Sequence, residues 1–181
     1  MLHTLVILVE DKPGVLNRVA SLFRRRAFNI ESLTVGHTDT EGLSRMTVTV
    51  EGDANHIERL TSYLYKLVNV IQIEDLTDKR MVSRDLALIK VSTASEKRAE
   101  IFQMVDVFRA RVIDVTSTSL IIEITGDGAK IDGFVDVLKP LGIIEMVRTG
   151  AVAMERGGES LVNPANGLQD ISETIFEAIR S

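Results

Sequence analysis

Apolar residues recur along this chain in two textures, short runs of the kind strands make and stripes at helical spacing. Leu5, Val6, Ile7, Leu8 and Val9 form a near-continuous apolar run, which predicts a strand buried on both faces. Asp11-Lys12-Pro13-Gly14 follows as a turn, with Pro fixing φ and Gly permitting a positive one. From Val15 the period changes. Val15, Leu16, Val19, Ala20, Leu22 and Phe23 share one helical stripe, and Arg24-Arg25-Arg26 closes it where the helix dipole favours cations. Ile30 to Thr38 predicts a second strand, Thr38-Asp39-Thr40-Glu41-Gly42 a hairpin loop, and Arg45 to Val50 a third strand with Met46, Val48 and Val50 on one side. Gly52-Asp53 offers an N-cap to a second helix marked by Ile57, Leu60, Leu64 and Leu67. Val70, Ile71 and Ile73 give a fourth strand, which runs out over Asp75 to Lys79. The order βαββαβ is the split pattern of a ferredoxin-like sandwich.

The second half repeats the first. An offset of 85 maps Phe23-Arg24 onto Phe108-Arg109, Arg26 onto Arg111 and Ile30 onto Val115. Beyond the hairpin an offset of 74 maps Gly52-Asp53 onto Gly126-Asp127 and Leu64 onto Leu138, predicting a second hairpin shorter by 85 − 74 = 11 residues. Leu86 to Ser92 is then a fifth strand, Glu96 to Ala110 a helix, Val112 to Thr125 a short hairpin, Asp127 to Leu141 a helix, and Ile143 to Met154 the last strand. The fold class is α+β, with two tandem ferredoxin-like domains over residues 1–79 and 80–155 joined near Lys79-Arg80. A single open α/β sheet is the weaker alternative, because parallel βαβ units leave the hairpin in each half unexplained. Residues 156–181 form a linker and tail: Arg156-Gly157-Gly158 and Asn163-Pro164-Ala165-Asn166-Gly167 read as a connector. Leu168, Ile171, Ile175, Phe176 and Ile179 then predict an amphipathic helix, docked on its own domain, its dimer mate or another subunit.

Composition narrows the function. In 181 residues 45% are hydrophobic, enough for a core in each domain. No apolar run approaches the roughly 18 residues that span a bilayer. Met1-Leu2-His3-Thr4 lacks the charged start of a signal peptide, and Cys is absent, so a cytoplasmic location is expected. A net charge of −5 and aromatics at 4% argue against nucleic acid or an anionic membrane as partner. No catalytic constellation is present. His3, His37 and His56 are scattered, outside any His-Glu-x-x-His spacing, so no metal site is expected. Phosphate-binding glycine loops and a nucleophile elbow are missing too. An acylphosphatase-like enzyme would need an anion-loop Arg, and Arg18 sits inside the helix; an RNA-recognition module would need exposed sheet aromatics, which these strands lack.

The Pro13-Gly14 turn is the candidate site. A turn that opens directly into a helix presents free N–H groups and the positive dipole end, a natural place for a carboxylate. Gly14 lets the backbone approach a ligand, Asp11 can face an ammonium group, and Val15, Leu16 and Ile30 offer apolar walls. Asn29, whose side chain both donates and accepts, begins the strand expected to return beside the turn. The set suits a small zwitterion. An ordinary β–α turn with a surface Asn accounts for the same residues equally well.

The Asp-x-Pro-Gly turn followed by Val15-Leu16-x-x-Val19-Ala20 resembles the ACT domain, a ferredoxin-like module that binds small effectors, often amino acids. Phe28-Asn29-Ile30-Glu31-Ser32-Leu33-Thr34-Val35, Leu43-Ser44-Arg45-Met46-Thr47 and Ile113-Asp114-Val115-Thr116 are similar to the small regulatory subunit of acetolactate synthase (acetohydroxyacid synthase), over roughly residues 1–155. The resemblance implies a chain with no catalysis and no cofactor of its own. It implies that the chain activates a large catalytic subunit, on which thiamine diphosphate, Mg and FAD are expected, and confers feedback inhibition by valine or a related amino acid in branched-chain amino acid biosynthesis. It further implies a homodimer through the ACT domain, with effector between Asp11, Gly14, Val15 and Leu16 of one chain and Asn29 and Ile30 of its partner. Many bacterial relatives carry Asn where this chain has Asp11, and the segment after Gly157 exceeds the shorter relatives. In the second repeat, Arg98, Ala99 and Asp114 stand at the expected positions of Pro13, Gly14 and Asn29, which predicts no amino-acid site there. A stand-alone amino-acid sensor acting on another enzyme or on transcription is the alternative.

Overall fold

The computed structural model describes residues 1–93 and 97–157, so the expected tail helix at 168–179 lies outside the described residues. The first unit comprises β1 (Leu2–Glu10), α1 (Val15–Arg25), β2 (Ile30–His37), β3 (Leu43–Glu51), α2 (Ala54–Leu64) and β4 (Val70–Asp75). Its antiparallel sheet has the order β2-β3-β1-β4. The central strand β1 pairs with β3 from Leu2–Glu51 to Glu10–Leu43 and with β4 on its other side. Leu5, Ile7 and Val9 face one way and meet Val19, Phe23, Ile57, Leu60 and Leu64 from the two helices, with Met46, Val48 and Val50 of β3 beside them. The apolar run at Leu5–Val9 is buried on both faces because the sheet carries helices on one side and is covered on the other.

The second unit repeats this frame with β5 (Met81–Ser92), α3 (Arg98–Val107), β6 (Arg111–Val115), β7 (Ser119–Gly126), α4 (Gly128–Gly142) and β8 (Ile143–Arg148), in the order β6-β7-β5-β8. Two separate antiparallel sheets dispose of the single open sheet. Asp53 is the N-cap expected, its Oδ1 accepting from His56 N–H at 2.8 Å; Asp127, expected as the first helical residue, is instead the N-cap of α4, its Oδ1 accepting from Lys130 N–H at 2.8 Å.

Two expectations need correction. Ile143 to Met154 is not one strand. β8 ends at Arg148, and after Thr149-Gly150-Ala151 a separate β9 (Val152–Glu155) pairs with Met81–Arg84, so β5 starts five residues before Leu86 (86 − 81). β9 carries Ala153 onto the free face of the first sheet, where it packs with Val6, Leu76 and Met81. Arg45 Nη2 donates to Ala153 O at 2.7 Å, and Lys79 Nζ bridges Glu74 (2.5 Å) and Glu155 (3.0 Å) along the same seam. The half-buried Arg45 guanidinium has its pKa lowered by burial, opposed by the charge of Glu74.

The repeat register over the first helix and strand is also different. Phe28 N–H donates to Phe23 O, and Ala110 N–H to Val105 O, an offset of 82 (110 − 28). Ala27 and Arg109, the positive-φ residues after each helix, keep that spacing (109 − 27 = 82). The matched phenylalanines therefore do not superpose: Phe23 corresponds to Val105, and Phe108 supplies bulk one turn later, against Phe134 at 5.0 Å. Asn29 corresponds to Arg111, in place of Asp114, and the counterparts of Pro13 and Gly14 fall at 95 and 96, outside the described residues. Over the second helix the offset of 74 holds, with Ile57, Leu60 and Leu64 matched by Ile131, Phe134 and Leu138.

Candidate functional site

The turn after β1 has the geometry that its sequence suggests. Gly14 is the N-cap of α1 at φ 85°, ψ −5°, in the left-handed region where a side chain is strained. No side chain caps the helix, and no acidic residue sits in its first turn. Val15 N–H returns to Lys12 O at 3.3 Å and Arg18 N–H to Gly14 O at 3.0 Å. The N–H groups of Leu16 and Asn17 lie between these two and have no carbonyl four residues back inside the helix. Open space surrounds the position of a Gly14 Cβ. The turn thus presents bare donors and a positive dipole end to solvent, suited to a small anionic group.

Asp11 stands beside these donors. Its N–H donates to Gly42 O at 2.8 Å, which ties the turn to the β2–β3 hairpin, and its Oδ2 lies 3.2 Å from Nδ1 of the exposed His37. Its carboxylate meets solvent and that imidazole, an arrangement able to hold an ammonium group. Leu16 is 43% exposed and supplies an apolar surface. Val15 does not, because its side chain is 4% exposed and belongs to the core; what it brings to the turn is backbone.

Asn29 and Ile30 are elsewhere in the chain. β2 runs parallel to β1, since each is antiparallel to β3, and Ile30 is level with Val50 and His3. The Gly14 turn follows Glu10, at the other end of β1. The two halves of the expected site are therefore separated by about 23 Å, the length of strand from His3 to Glu10 at roughly 3.3 Å per residue. The strand that Asn29 opens starts far from the turn and ends near it, at His37. Asn29 is exposed, donates from Nδ2 to Glu31 Oε1 at 2.5 Å, and lines an open hollow with Met1, Ala27, Gly52 and Asp53. Ile30 is half-buried against the core.

A polar brace beside the turn has no counterpart in the sequence motifs. Glu10 Oε2 accepts from Asn69 Nδ2 at 2.5 Å, Asn69 Oδ1 accepts from Arg18 Nη1 at 2.7 Å, and Glu10 N–H donates to Asn69 O at 2.9 Å. It fixes the first turn of α1 to the start of β4. Its members are far apart in sequence, so no local spacing announces it. Among the described residues no group of three or more His, Asp or Glu side chains could hold a metal ion, and no helix is long and apolar enough to cross a membrane.

Comparison with known proteins follows the same division of the chain. Residues 5–72 match the family described as the acetohydroxyacid-synthase small-subunit-like ACT domain, and residues 84–157 match the family described as the small subunit of acetolactate synthase. The acetolactate synthase small subunit of Mycobacterium bovis is 50% identical over 155 residues, covering 86% of this chain and 92% of its own. That of Mycolicibacterium smegmatis is 49% identical, covering 86% and 91%. The crystal structure of the small subunit from Thermotoga maritima aligns at a TM-score of 0.82 with 44% identity, covering 88% of this chain and 99% of its own.

Proposed function

The chain belongs to the acetolactate synthase small-subunit family, regulatory subunits without catalysis of their own, and from that premise we propose that it activates a large catalytic subunit and makes it sensitive to valine or a related amino acid. The large subunit would hold the thiamine diphosphate, Mg and FAD; this chain contributes the effector site and the contacts that transmit its occupancy. The observation that carries this reading is the uncapped, left-handed Gly14 turn with Asp11 beside it: donors for a carboxylate and an acceptor for an ammonium group on one surface.

Two-fold symmetry completes the site. Among the described residues β2 is an edge strand bonded only to β3, which leaves its outer edge unpaired there. When identical edge strands pair about a two-fold axis they run antiparallel, which lays the start of one against the end of the other. Asn29 and Ile30 of the partner then lie beside His37, Asp11 and Gly14, closing the gap that a single chain leaves open. Side-chain size at Leu16 and Ile30 separates valine from leucine by only about 1–3 kcal/mol per methylene, so leucine and isoleucine should cross-inhibit. The effector inhibits by binding one state of the dimer better than another, a coupling of about 1–3 kcal/mol.

Titration calorimetry of the full chain with valine, leucine and isoleucine tests the site. Heat with saturation below millimolar concentration is expected for at least one of them, and silence with all three at millimolar levels contradicts it. Co-purification with a large thiamine-diphosphate-dependent subunit separates this reading from a stand-alone amino-acid sensor.

A further inference from the structure

We propose that the loop Thr149-Gly150-Ala151, seated on β2 through Gly150, is the contact by which effector at the β2 edge reaches the second domain; this rests on the effector reading above. The seat is tight because residue 150 has no side chain. A Cβ there would stand 2.7 Å from Thr34 Oγ1 and 3.1 Å from the backbone C and N of Leu33. The approach is backbone against backbone, and no φ constraint accounts for the glycine. Next to it, Ala151 N–H reaches Ser32 Oγ at 3.5 Å, and Ser32 Oγ accepts from Thr49 Oγ1 at 2.7 Å. Thr34 Oγ1 is buried against this glycine with no hydrogen-bond partner among the described residues.

Each side of the contact continues into its own domain. On the β2 side, Ile30 is only four residues from Thr34, and a β-bulge between Ile30 and Ser32 interrupts the β2–β3 pairing. An edge strand held on one side can slide when its free edge takes a partner or ligand. On the second-domain side, Arg148 lies two residues before Gly150. Its guanidinium donates from Nε and Nη2 to Asp85 Oδ2 at 3.0 and 2.6 Å, and from Nη1 to Asp132 Oδ1 at 2.6 Å. A shift of β2 is therefore delivered through Gly150 to Arg148, and from there to β5 and to the first turns of α4. Beside this seat the domains part around a cavity of about 510 Å³, lined by Thr4, Glu31, Thr49, Asp85 and Arg148 among others.

The test uses full-length G150A and S32A, each combined with the large catalytic subunit. Activation, inhibition across a valine titration, valine heat by calorimetry, and amide hydrogen exchange of residues 147–153 with and without valine are measured. In the wild type, valine should change exchange over 147–153. In G150A that change should vanish and inhibition should fall below about three-fold, against the roughly 5- to 150-fold span of such couplings, while valine affinity and activation stay within about three-fold of wild type. S32A, which inserts no bulk, should weaken inhibition in the same direction and decides the matter if G150A fails to fold. Inhibition unchanged in the folded variant with valine still bound overturns the coupling role and leaves the effector site standing. Activation and inhibition lost together assign the contact to assembly and also overturn it. Absence of valine heat in the wild type removes the effector site, and this inference with it.

Discussion

Gly14 stands at φ 85° with nothing near its missing Cβ, so a substitution there acts through backbone strain and through whatever occupies the turn. G14A should cost about 1–2 kcal/mol of stability from the left-handed conformation alone, read as a lower denaturant midpoint with an unchanged slope. G14D adds a negative charge in front of the helix N-terminus and should abolish valine inhibition while activation persists. Along the domain seam, Lys79 has its pKa raised by hydrogen bonds to Glu74 and Glu155, and Glu155 has its pKa lowered, first by Lys79 and then by Glu74. A carboxylate whose folded pKa is depressed contributes stability above its unfolded value, roughly 4.3 for Glu. That contribution is lost as pH falls through the lower folded value. The lysine, raised, keeps its share up to the ordinary lysine range and loses it above. E155Q should therefore melt below wild type at neutral pH, and the two curves should converge in acid; a gap that persists below the folded Glu155 pKa would show that the pair is not its source. The turn residues and the Asp53 cap are legible in the sequence because each acts within a few positions of the chain. The Glu10–Asn69–Arg18 brace and the Gly150 seat are not, since they join positions that only the folded sheets bring together.

At the level of elements, the two helices that cover each sheet are anchored by fully buried residues, Leu64 in the first unit and Leu138 in the second. L64A and L138A should each destabilise by about 2–5 kcal/mol, the range for buried leucines whose cavity cannot close, with thermal melting as the check. D127A removes the cap that Lys130 N–H uses and should cost about 0.5–2 kcal/mol. The pattern of elements follows from hydrophobic period: runs at Leu5–Val9, stripes at Ile57-Leu60-Leu64, alternation at Met46-Val48-Val50. Period alone does not fix the register between repeats. The pairs Phe23-Arg24 and Phe108-Arg109 look equivalent as letters, yet the bond from residue 28 to 23 is matched by that from 110 to 105, and Phe108 occupies a different layer of its core. The break of the final strand at Thr149 is likewise set from outside, by the covering of the first sheet through Ala153.

At the scale of the whole molecule, a single chain leaves the Gly14 turn and Asn29 at opposite ends of one sheet, and in the proposed dimer the outer edge of β2 joins them. Val35, on that edge and 41% exposed, is a position where a charge should block pairing without touching the core. V35K should convert the dimer to a monomer in light scattering and lose valine heat in parallel; a dimeric V35K that still binds valine would place the interface elsewhere. The family relationship establishes a regulatory subunit, and under the proposed two-fold pairing its effector site needs two copies. The most direct measurement is acetolactate formation by the large subunit alone, with this chain, and with N29A, each with and without valine. The wild-type chain should raise the rate and valine should lower it again, whereas N29A should raise the rate equally and leave it insensitive to valine. A rate that this chain does not raise, or an N29A variant that valine inhibits as fully as wild type, would contradict the account.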